Sequence, residues 1–290
     1  MQKTLTQTSY RPRITFQDTN VVGNVYFLTF FRWQAECRDL WLRENDPELW
    51  HSIRRGESPL IVTHWSTRFD DPVGATIGDD VSVSMEFDEN EHQYSASATI
   101  ERITENGAET IGKGSMRFQT SSAYSHAHNE SPSGPFYEFT IMCPRISVLN
   151  PLDLFAWQGK CRELFLEDHV PESLGRVANR QLALQTTSAS VELHQTPPLL
   201  DEVRIEMRLD EIKCGQLGVR FDYFALSENE QVAFATGHQR MSSKRYVGSG
   251  IVPCPLPTDM LRALQSFTDS KRMLDKIENI IEFALEDDFK

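Results

Sequence analysis

The chain has 290 residues, of which 39% are hydrophobic and 24% charged, and this composition is typical of a globular protein. Its formal net charge of −13 would repel a nucleic acid backbone, so we expect no nucleic acid partner. No apolar run approaches the roughly 20 residues of a membrane span, and the N-terminus lacks the apolar segment of a secretion signal. We therefore expect a cytoplasmic protein without a membrane partner.

Five cysteines occur without a CxxC motif or Cys/His ligand spacing, and they are interpreted as packed thiols. No metal or other cofactor is predicted.

In chain order, the first half opens with "RITF" at 13–16, interpreted as a short strand, and continues with an amphipathic helix around "WQAECRDLWL" at 33–42. Four strand-like runs follow: "LIVTHWSTRF", "DVSVSMEF", "YSASATIERI" and "ETIGKGSMRFQ". Apolar residues alternate with polar ones in "DVSVSMEF", as a half-buried antiparallel strand requires. The first half is therefore predicted to be one strand, one helix and four strands.

The second half repeats this order. It contains "RISV" at 145–148, "WQGKCRELFL" at 157–166, and the runs "LALQTTSASVEL", "EVRIEMRL", "GVRFDYFALS" and "QVAFATGHQRMS". The two helices share Trp, Gln, Cys, Arg and two Leu at matching positions, which indicates a duplicated unit. The offset is 132 residues from Arg13 to Arg145 but 124 from Trp33 to Trp157, so the second copy is predicted to lack eight residues between strand and helix.

The predicted boundaries are a first unit at 1–122, a linker at 123–137, a second unit at 138–256 and a helical tail at 257–290. The linker is rich in Ser, Asn, Pro and Gly, so His126 and His128 are interpreted as solvated residues rather than metal ligands. The tail carries an apolar stripe that we expect to dock on the body of the protein. The stripe comprises Met273, Ile277, Ile280, Ile281 and Leu285.

The stretch "FQDTNVVGNVYFLTFFRWQAECRDLWL" at 16–42 resembles the hotdog acyl thioesterases of the 4-hydroxybenzoyl-CoA thioesterase type. Within that group it is most similar to the thioesterases of enediyne polyketide synthesis, through "DTN", "GNVYF" and "WQ" followed by "CR". The second half resembles the same family in "WQGKCRELFL", "LALQTTSAS" and "GHQRM". The resemblance implies an α+β double hotdog, with two tandem units that form a pseudo-dimer within one chain and are open to further homo-oligomerisation.

One stripe of the first helix carries an arginine among apolar residues. Steps of three and four align Phe27, Phe31, Gln34, Arg38 and Trp41. A guanidinium on an apolar face is costly unless it is paired, so Arg38 is either a site residue or a structural arginine bound to a carboxylate such as Asp18 or to backbone carbonyls. Cys37 and its counterpart Cys161 are interpreted as packed thiols.

The loop before this helix supplies turn chemistry. Gly23 and Asn24 are predicted to cap the helix, leaving backbone N–H groups that could polarise a thioester carbonyl and hold its oxyanion. Tyr26 is either a third donor or a boundary aromatic residue. Asp18 lies two residues before Asn20, and we expect it to fix the loop or Arg38.

The resemblance assigns roles to these residues. Many relatives carry a catalytic carboxylate at the position of Asn20, whereas the enediyne-type enzymes have Asn there and are thought to use Asn and Arg together. It implies that Asn20 orients water or the acyl carbonyl and that Arg38 stabilises an oxyanion or enolate. The expected substrate-binding residues are Asp18, Gly23, Asn24, Val25, Tyr26, Phe27 and Phe31.

The predicted function is hydrolysis of an acyl or β-ketoacyl thioester, similar to a polyketide intermediate, carried by coenzyme A or an acyl carrier protein. The alternative is a binding or cyclase-type hotdog protein that does not hydrolyse its ligand. Gly23 stands where a dehydratase would carry histidine, and no GxSxG motif is present. Because the second copy lacks the loop, we predict one working site per chain and a structural role for Arg162.

Overall fold

A computed structural model describes residues 6–20, 23–70, 74–90, 93–120, 134–146, 149–197, 200–226, 231–248 and 250–287. The chain divides into two compact units. The first comprises Met1–Ala127 with the segments Val148–Asp153 and Ser190–Thr196. The second comprises His128–Ser147, Leu154–Ala189 and Pro197–Lys290.

The first unit is an antiparallel sheet with two helices. Its elements are β1 (Thr6–Tyr10), a 3-10 turn (Phe16–Asp18), α1 (Phe27–Asn45), α2 (Pro47–Arg54), β2 (Ile61–Phe69), β3 (Asp80–Asn90), β4 (Gln93–Thr104) and β5 (Gly107–Gln119). The strands lie in the order β1-β3-β4-β5-β2. The four runs predicted as strands after the first helix are confirmed as β2 to β5.

The second half of the chain, from Tyr137 onward, repeats this layout. Its elements are β6 (Tyr137–Ile146), α3 (Pro151–His169), α4 (Pro171–Ala178), β7 (Leu182–Leu193), β8 (Leu200–Lys213), β9 (Gln216–Leu226), β10 (Gln231–Val247), β11 (Gly250–Pro253), α5 (Thr258–Gln265) and α6 (Lys271–Asp287). The strands lie in the order β6-β8-β9-β10-β7, which matches the first unit, and β11 is added beside β10.

The duplication predicted from the two tryptophans extends over four helices. Helices α1 and α3 have 19 residues each, and α2 and α4 have eight each. The first and last residues of α3 and α4 lie 124 positions after those of α1 and α2, so that Phe27 matches Pro151 and Pro47 matches Pro171. The short helices α2 and α4 were not predicted, although a proline at the start of each is a known signal for a helix N-terminus.

The predicted opening strands are wrong in position. "RITF" follows β1 instead of forming a strand, and Phe16 begins the 3-10 turn. Pro12 has no N–H to donate to a sheet, and the backbone N–H of Thr15 is held by the side chain of Asp18. "RISV" overlaps the end of β6, and positions 147–148 lie outside the described residues. The connection from strand to helix has 16 residues at 11–26 but four at 147–150. The second copy therefore has the shorter connection, as the two offsets predict.

The core of the first unit lies between α1 and alternate residues of β3. Val81, Val83, Met85 and Phe87 are buried. The serines between them are partly exposed, which confirms the predicted alternation. Trp41 stacks on Phe87 with 4.3 Å between ring centroids. Burial of each large apolar side chain of this kind stabilises the fold by about 1.5–3 kcal/mol.

The glutamine side chain of each repeated "WQ" packs directly against a glycine of the sheet. The side chain of Gln34 is fully buried. It accepts a hydrogen bond from Trp65 Nε1 (3.1 Å) and donates to Thr67 Oγ1 (2.8 Å). A methyl group at Gly114 would collide with Gln34, and one at Gly237 would collide with Gln158. These glycines therefore leave room for a buried amide in both units.

The predicted C-terminal tail is helical, but it forms two helices, α5 and α6. Ile277 is fully buried, and α6 contacts β8 of the same unit. This part of the predicted stripe therefore docks on the second unit, while the side chain of Leu285 lies outside the described residues. His126 and His128 also lie outside them. Among the helices that the structure describes, none is both long and apolar enough to cross a membrane.

Candidate active site

The loop between β1 and α1 folds back on itself ahead of the helix. Tyr26 N donates to the carbonyl of Asp18 (2.7 Å), Thr19 pairs with Val25, and Asn20 N donates to the carbonyl of Asn24 (2.8 Å). The loop is thus a small hairpin with Asn20 near its tip, and positions 21 and 22 lie outside the described residues.

Asn20 is exposed and shapes the tip with both its backbone and its side chain. Its Oδ1 accepts a hydrogen bond from Asn24 N (3.2 Å), and its carbonyl accepts one from Gly23 N (2.9 Å). Gly23 has a φ of +91°, in a region that favours glycine. The turn therefore requires glycine at position 23, and the Asn20 amide lies at the solvent-facing end of the loop.

The second arm of the hairpin is held by the segment before β3. Val25 N donates to the carbonyl of Ala75 (2.8 Å), and Asn24 pairs with Thr76. Val25 is buried by this contact. The predicted substrate-binding residues Asn24 and Val25 thus connect the loop to the segment before β3 through backbone hydrogen bonds.

Asp18 is buried, and its side chain ties the loop to α1. One carboxylate oxygen accepts hydrogen bonds from Thr15 N (2.6 Å) and Thr15 Oγ1 (2.7 Å), and the other is paired with Arg32. Burial alone would raise the pKa of this carboxyl, but hydrogen bonds from Arg32 and Thr15 outweigh it and lower the pKa below its ordinary value. Asp18 therefore fixes the loop through Arg32, not through Arg38.

Arg32 extends this polar network back to β1. Its Nε lies 3.6 Å from a carboxylate oxygen of Glu36, one turn further along α1. Burial, together with a hydrogen bond to Glu36, raises the pKa of Tyr10 to about 12. Arg32 was not predicted as a site residue, because in sequence it reads as one half of an ordinary i, i+4 surface pair.

Helix α1 begins without a side-chain cap. Tyr26 is the N-cap residue and its side chain makes no capping hydrogen bond, so the prediction that Gly23 and Asn24 cap the helix is wrong. Thr29 Oγ1 donates to the carbonyl of Asp18 (3.1 Å), which fastens the first turn to the loop. The positive end of the helix dipole therefore adjoins the hairpin that carries Asn20.

Arg38 lies away from this hairpin. Its Nε and Nη2 donate to Asp39 Oδ1 (2.9 and 2.7 Å), and its Nη1 lies 3.9 Å from the sulfur of Met116. It is eleven residues beyond Phe27, or about 16 Å along the helix axis. Within the part of the chain that the structure describes, no hydrogen bond joins Arg38 to Asn20, so the two predicted catalytic residues are not brought together.

The predicted stripe on α1 is confirmed as a buried face. Phe27, Phe31, Gln34, Arg38 and Trp41 are all buried. The ring of Phe31 packs edge-on against Trp65 at 5.3 Å, as a core residue does. Phe31 and Phe27 therefore pack in the interior of the first unit.

Arg162 occupies the corresponding place on α3. Its Nη1 donates to Thr186 Oγ1 (3.0 Å) and Gln239 Oε1 (3.2 Å) and lies 3.7 Å from the sulfur of Met241. Each arginine thus approaches a methionine of its own sheet. The prediction that Arg162 is hydrogen-bonded inside the second unit is confirmed.

The two cysteines of the repeat are fully buried. Burial raises the pKa of each thiol, Cys37 and Cys161, to about 12. Because the thiolate is the nucleophile, neither side chain is reactive near neutral pH. Their interpretation as packed thiols is confirmed.

Asp153, in the first turn of α3, was not singled out in the sequence. Its carboxyl is partly buried and has no hydrogen-bond or ion-pair partner among the described residues, and burial raises its pKa. In sequence, an acidic residue at this position is explained by the helix dipole alone, so no signal set it apart.

Neither a protein-family model nor a curated protein matches the sequence. The structure is similar to that of the 12:0-ACP thioesterase from Umbellularia californica, with 10% identity, a TM-score of 0.58, and coverage of 82% of this chain and 94% of that one. An acyl-ACP thioesterase from Bacteroides thetaiotaomicron aligns with 10% identity, a TM-score of 0.52, and coverage of 81% and 98%. A structure of the dynemicin thioesterase aligns with 46% of this chain and 96% of its own, at 26% identity and a TM-score of 0.42. The two longer alignments show that this chain has the α+β hotdog fold of these thioesterases.

Proposed function

We propose that this protein is a thioesterase that hydrolyses an acyl thioester of coenzyme A or an acyl carrier protein. The observation that carries the proposal is the Asn20 hairpin, which is fastened by Asp18 and Thr29 to the uncapped N-terminus of α1. An amide beside a helix N-terminus offers hydrogen-bond donors where a thioester oxygen gains negative charge. The fold shared with acyl-ACP thioesterases supports the same reaction class.

In the proposed reaction, a water oxygen attacks the acyl carbon, the C–S bond breaks, and the products are a carboxylic acid and a thiol. The water proton reaches the departing sulfur through solvent. Asn20 would hold the water or the acyl oxygen, because an amide donates and accepts hydrogen bonds but takes no proton at neutral pH. The geometry supports this role for Asn20 more directly than it supports oxyanion stabilisation by Arg38.

We also propose that the two units are two hotdog units of one chain. Equal helix lengths, a constant offset of 124 residues and identical strand orders support this proposal. The pairing of the units into a pseudo-dimer and a β-ketoacyl, polyketide-like substrate remain predictions. The short connection before α3 supports a single site, because the described residues of the second unit include no counterpart of the Asn20 hairpin.

The test is turnover of medium-chain acyl-CoA, β-ketoacyl-CoA and acyl-carrier-protein substrates. Release of the free thiol-bearing product should be followed by chromatography, since the exposed Cys214 would react with a thiol reagent. We expect Asn20→Ala to lower kcat by about 10²-fold or more, as loss of an oxyanion donor typically does. Asn279→Ala, on the exposed side of α6, is the matched control. No turnover of any thioester by the wild-type protein would overturn the proposal.

One observation favours the second candidate, an acyl-binding or cyclase-type protein. Asp18, the nearest carboxylate to Asn20 in the described hairpin, is engaged by Thr15 and Arg32 and does not act as a free base. Saturable binding of acyl-CoA in calorimetry, without release of product over hours, would support this candidate instead.

A further inference from the structure

A groove of about 470 Å³ lies beside the Asn20 hairpin in the first unit. One wall is the segment Arg11–Ile14, and the other is formed by Ile77–Val81 and Ile103. The walls are largely apolar, and two arginines and two aspartates lie among them. Neither these arginines nor the groove has a part in the proposed reaction.

The two arginines face the same way. In the segment after β1, Pro12 and Ile14 are buried while Arg11 and Arg13 are exposed. This alternation of burial indicates that residues i and i+2 lie on one face, as in extended backbone, where they are about 6.6 Å apart. Their two guanidinium groups are therefore presented side by side along the groove.

Neither Arg11 nor Arg13 makes a hydrogen bond or an ion pair with any residue that the structure describes. Most other arginines of this unit are paired with carboxylates, as in Arg55 with Glu57 and Arg102 with Glu109. Two adjacent unpaired cations are conspicuous in a chain with a net charge of −13.

The acidic residues that line the groove form no ion pair with these arginines. Asp79 turns one carboxylate oxygen toward Thr76, from which it accepts hydrogen bonds of 2.8 Å (N) and 3.1 Å (Oγ1). Asp80 is exposed at the start of β3 and is paired with neither arginine. The groove thus combines apolar walls with two guanidinium groups that are not ion-paired with any carboxylate among the described residues.

The groove leads to the hairpin by direct contacts. Ile77 follows Thr76, which pairs with Asn24, and Asn24 N donates to Asn20 Oδ1. A ligand that lies in the groove with its anion at Arg11 and Arg13 would thus extend along the apolar wall toward Asn20.

We propose that this groove binds the thiol-bearing arm of the substrate, with the phosphate of a phosphopantetheine group held by Arg11 and Arg13. Guanidinium groups bind phosphate oxygens through paired, charge-assisted hydrogen bonds, and the apolar walls suit the uncharged arm. Because the whole chain would repel an anion, attraction must come from such a local pair of cations. The assignment rests on the proposed function, whose substrate it specifies.

The experiment compares the double variant Arg11→Gln/Arg13→Gln with Arg43→Gln/Arg54→Gln, which removes the same charge from exposed arginines outside the groove. One acyl group is presented on coenzyme A, on phosphopantetheine, on a carrier protein and on N-acetylcysteamine, which has no phosphate. For the three phosphorylated carriers we expect the groove variant to raise KM by about 10- to 100-fold, since a charge-assisted hydrogen bond contributes about 1.5–3 kcal/mol. Its kcat/KM with the N-acetylcysteamine thioester should stay within about twofold of wild type.

Each other outcome overturns part of the assignment. If KM rises for the coenzyme A thioester but not for the phosphopantetheine thioester, the arginines bind the nucleotide phosphates instead. An equal loss of kcat/KM with the N-acetylcysteamine thioester, or no change with any carrier, would overturn the proposed phosphate site. Both variants should keep the wild-type melting temperature, because the four side chains are exposed.

Calorimetry with coenzyme A separates this inference from the proposed function. Binding that weakens in the groove variant and at high salt supports the phosphate site even if no thioester is turned over. If the groove variant turns over thioesters and binds coenzyme A as the wild type does, the proposed thioesterase function stands and the proposed phosphate site is rejected.

Discussion

The buried carboxylate of Asp18 is paired with Arg32 of α1 and so fixes the start of the Asn20 hairpin to the second turn of the helix. The pair joins two residues 14 positions apart and leaves Asn20 two residues beyond its anchor. The position of the proposed catalytic amide therefore depends on an ion pair that does not itself take part in the reaction.

Asp18→Asn should destabilise the first unit by about 1–2 kcal/mol, less than a fully buried pair would lose, because Arg32 is 41% exposed. The pKa of Asp18 is lowered in the folded state, so its contribution is present above the ordinary carboxyl pKa of about 4 and is lost as pH falls through the folded value. Urea unfolding from pH 7 to pH 3 should show the wild type and variant converging at the acid end. A constant difference in unfolding free energy between wild type and variant from pH 7 to pH 3 would contradict this account.

Arg38→Ala and Arg162→Ala form a matched pair on the duplicated helices. If Arg38 stabilises an oxyanion, as the resemblance implies, Arg38→Ala should lower kcat by about 10²-fold, whereas Arg162→Ala should lose about 1–3 kcal/mol of stability through its broken hydrogen bonds. Steady-state kinetics and denaturant unfolding measure the two effects. Because Arg38 pairs with Asp39 rather than Asn20, a folded Arg38→Ala variant with unchanged kcat would remove Arg38 from the site.

Gly114→Ala should destabilise the protein by about 1–3 kcal/mol, because the added methyl group would meet Gln34 and lie 2.9 Å from the carbonyl oxygen of Ser66. Gly175→Ala is the control, since a methyl group there meets nothing within 4 Å and alanine favours helix α4. Thermal unfolding should lower the melting temperature of the first variant and leave that of the second equal or higher. Adding Gln34→Ser to Gly114→Ala should recover part of the loss.

The burial of His64 predicts that the stability of the protein depends on pH near neutrality. Burial and the charge of Arg117, which stands opposite it on β5, lower its pKa below the ordinary 6.5. Its neutral form is thus favoured in the folded state, and stability is full above about pH 6.5 and falls as pH drops toward the folded value. His64→Gln should make the melting temperature less dependent on pH between pH 8 and pH 5. His51→Gln, at an exposed position of α2, should leave that dependence unchanged.

The sheet and the long helices could be predicted from sequence because their signals are periodic. β3 and the buried stripe of α1 follow periods of two and of three to four residues, respectively. The short helix α2 also had a local signal, since Asp46 caps it by accepting from Leu49 N and Pro47 follows directly. The hairpin geometry could not be predicted, because the pairing of Asp18 with Arg32 depends on how the chain closes between them.

The short connection before α3 shows what a tandem chain permits. In a homodimer, one gene encodes both copies, and any deletion in a connecting segment appears twice and disables both sites. Here the connection in one copy has four residues while the other retains sixteen. If the proposed double hotdog arose by fusion of two copies, each copy could change separately, and a shortened connection in one half would leave the proposed site in the other half intact.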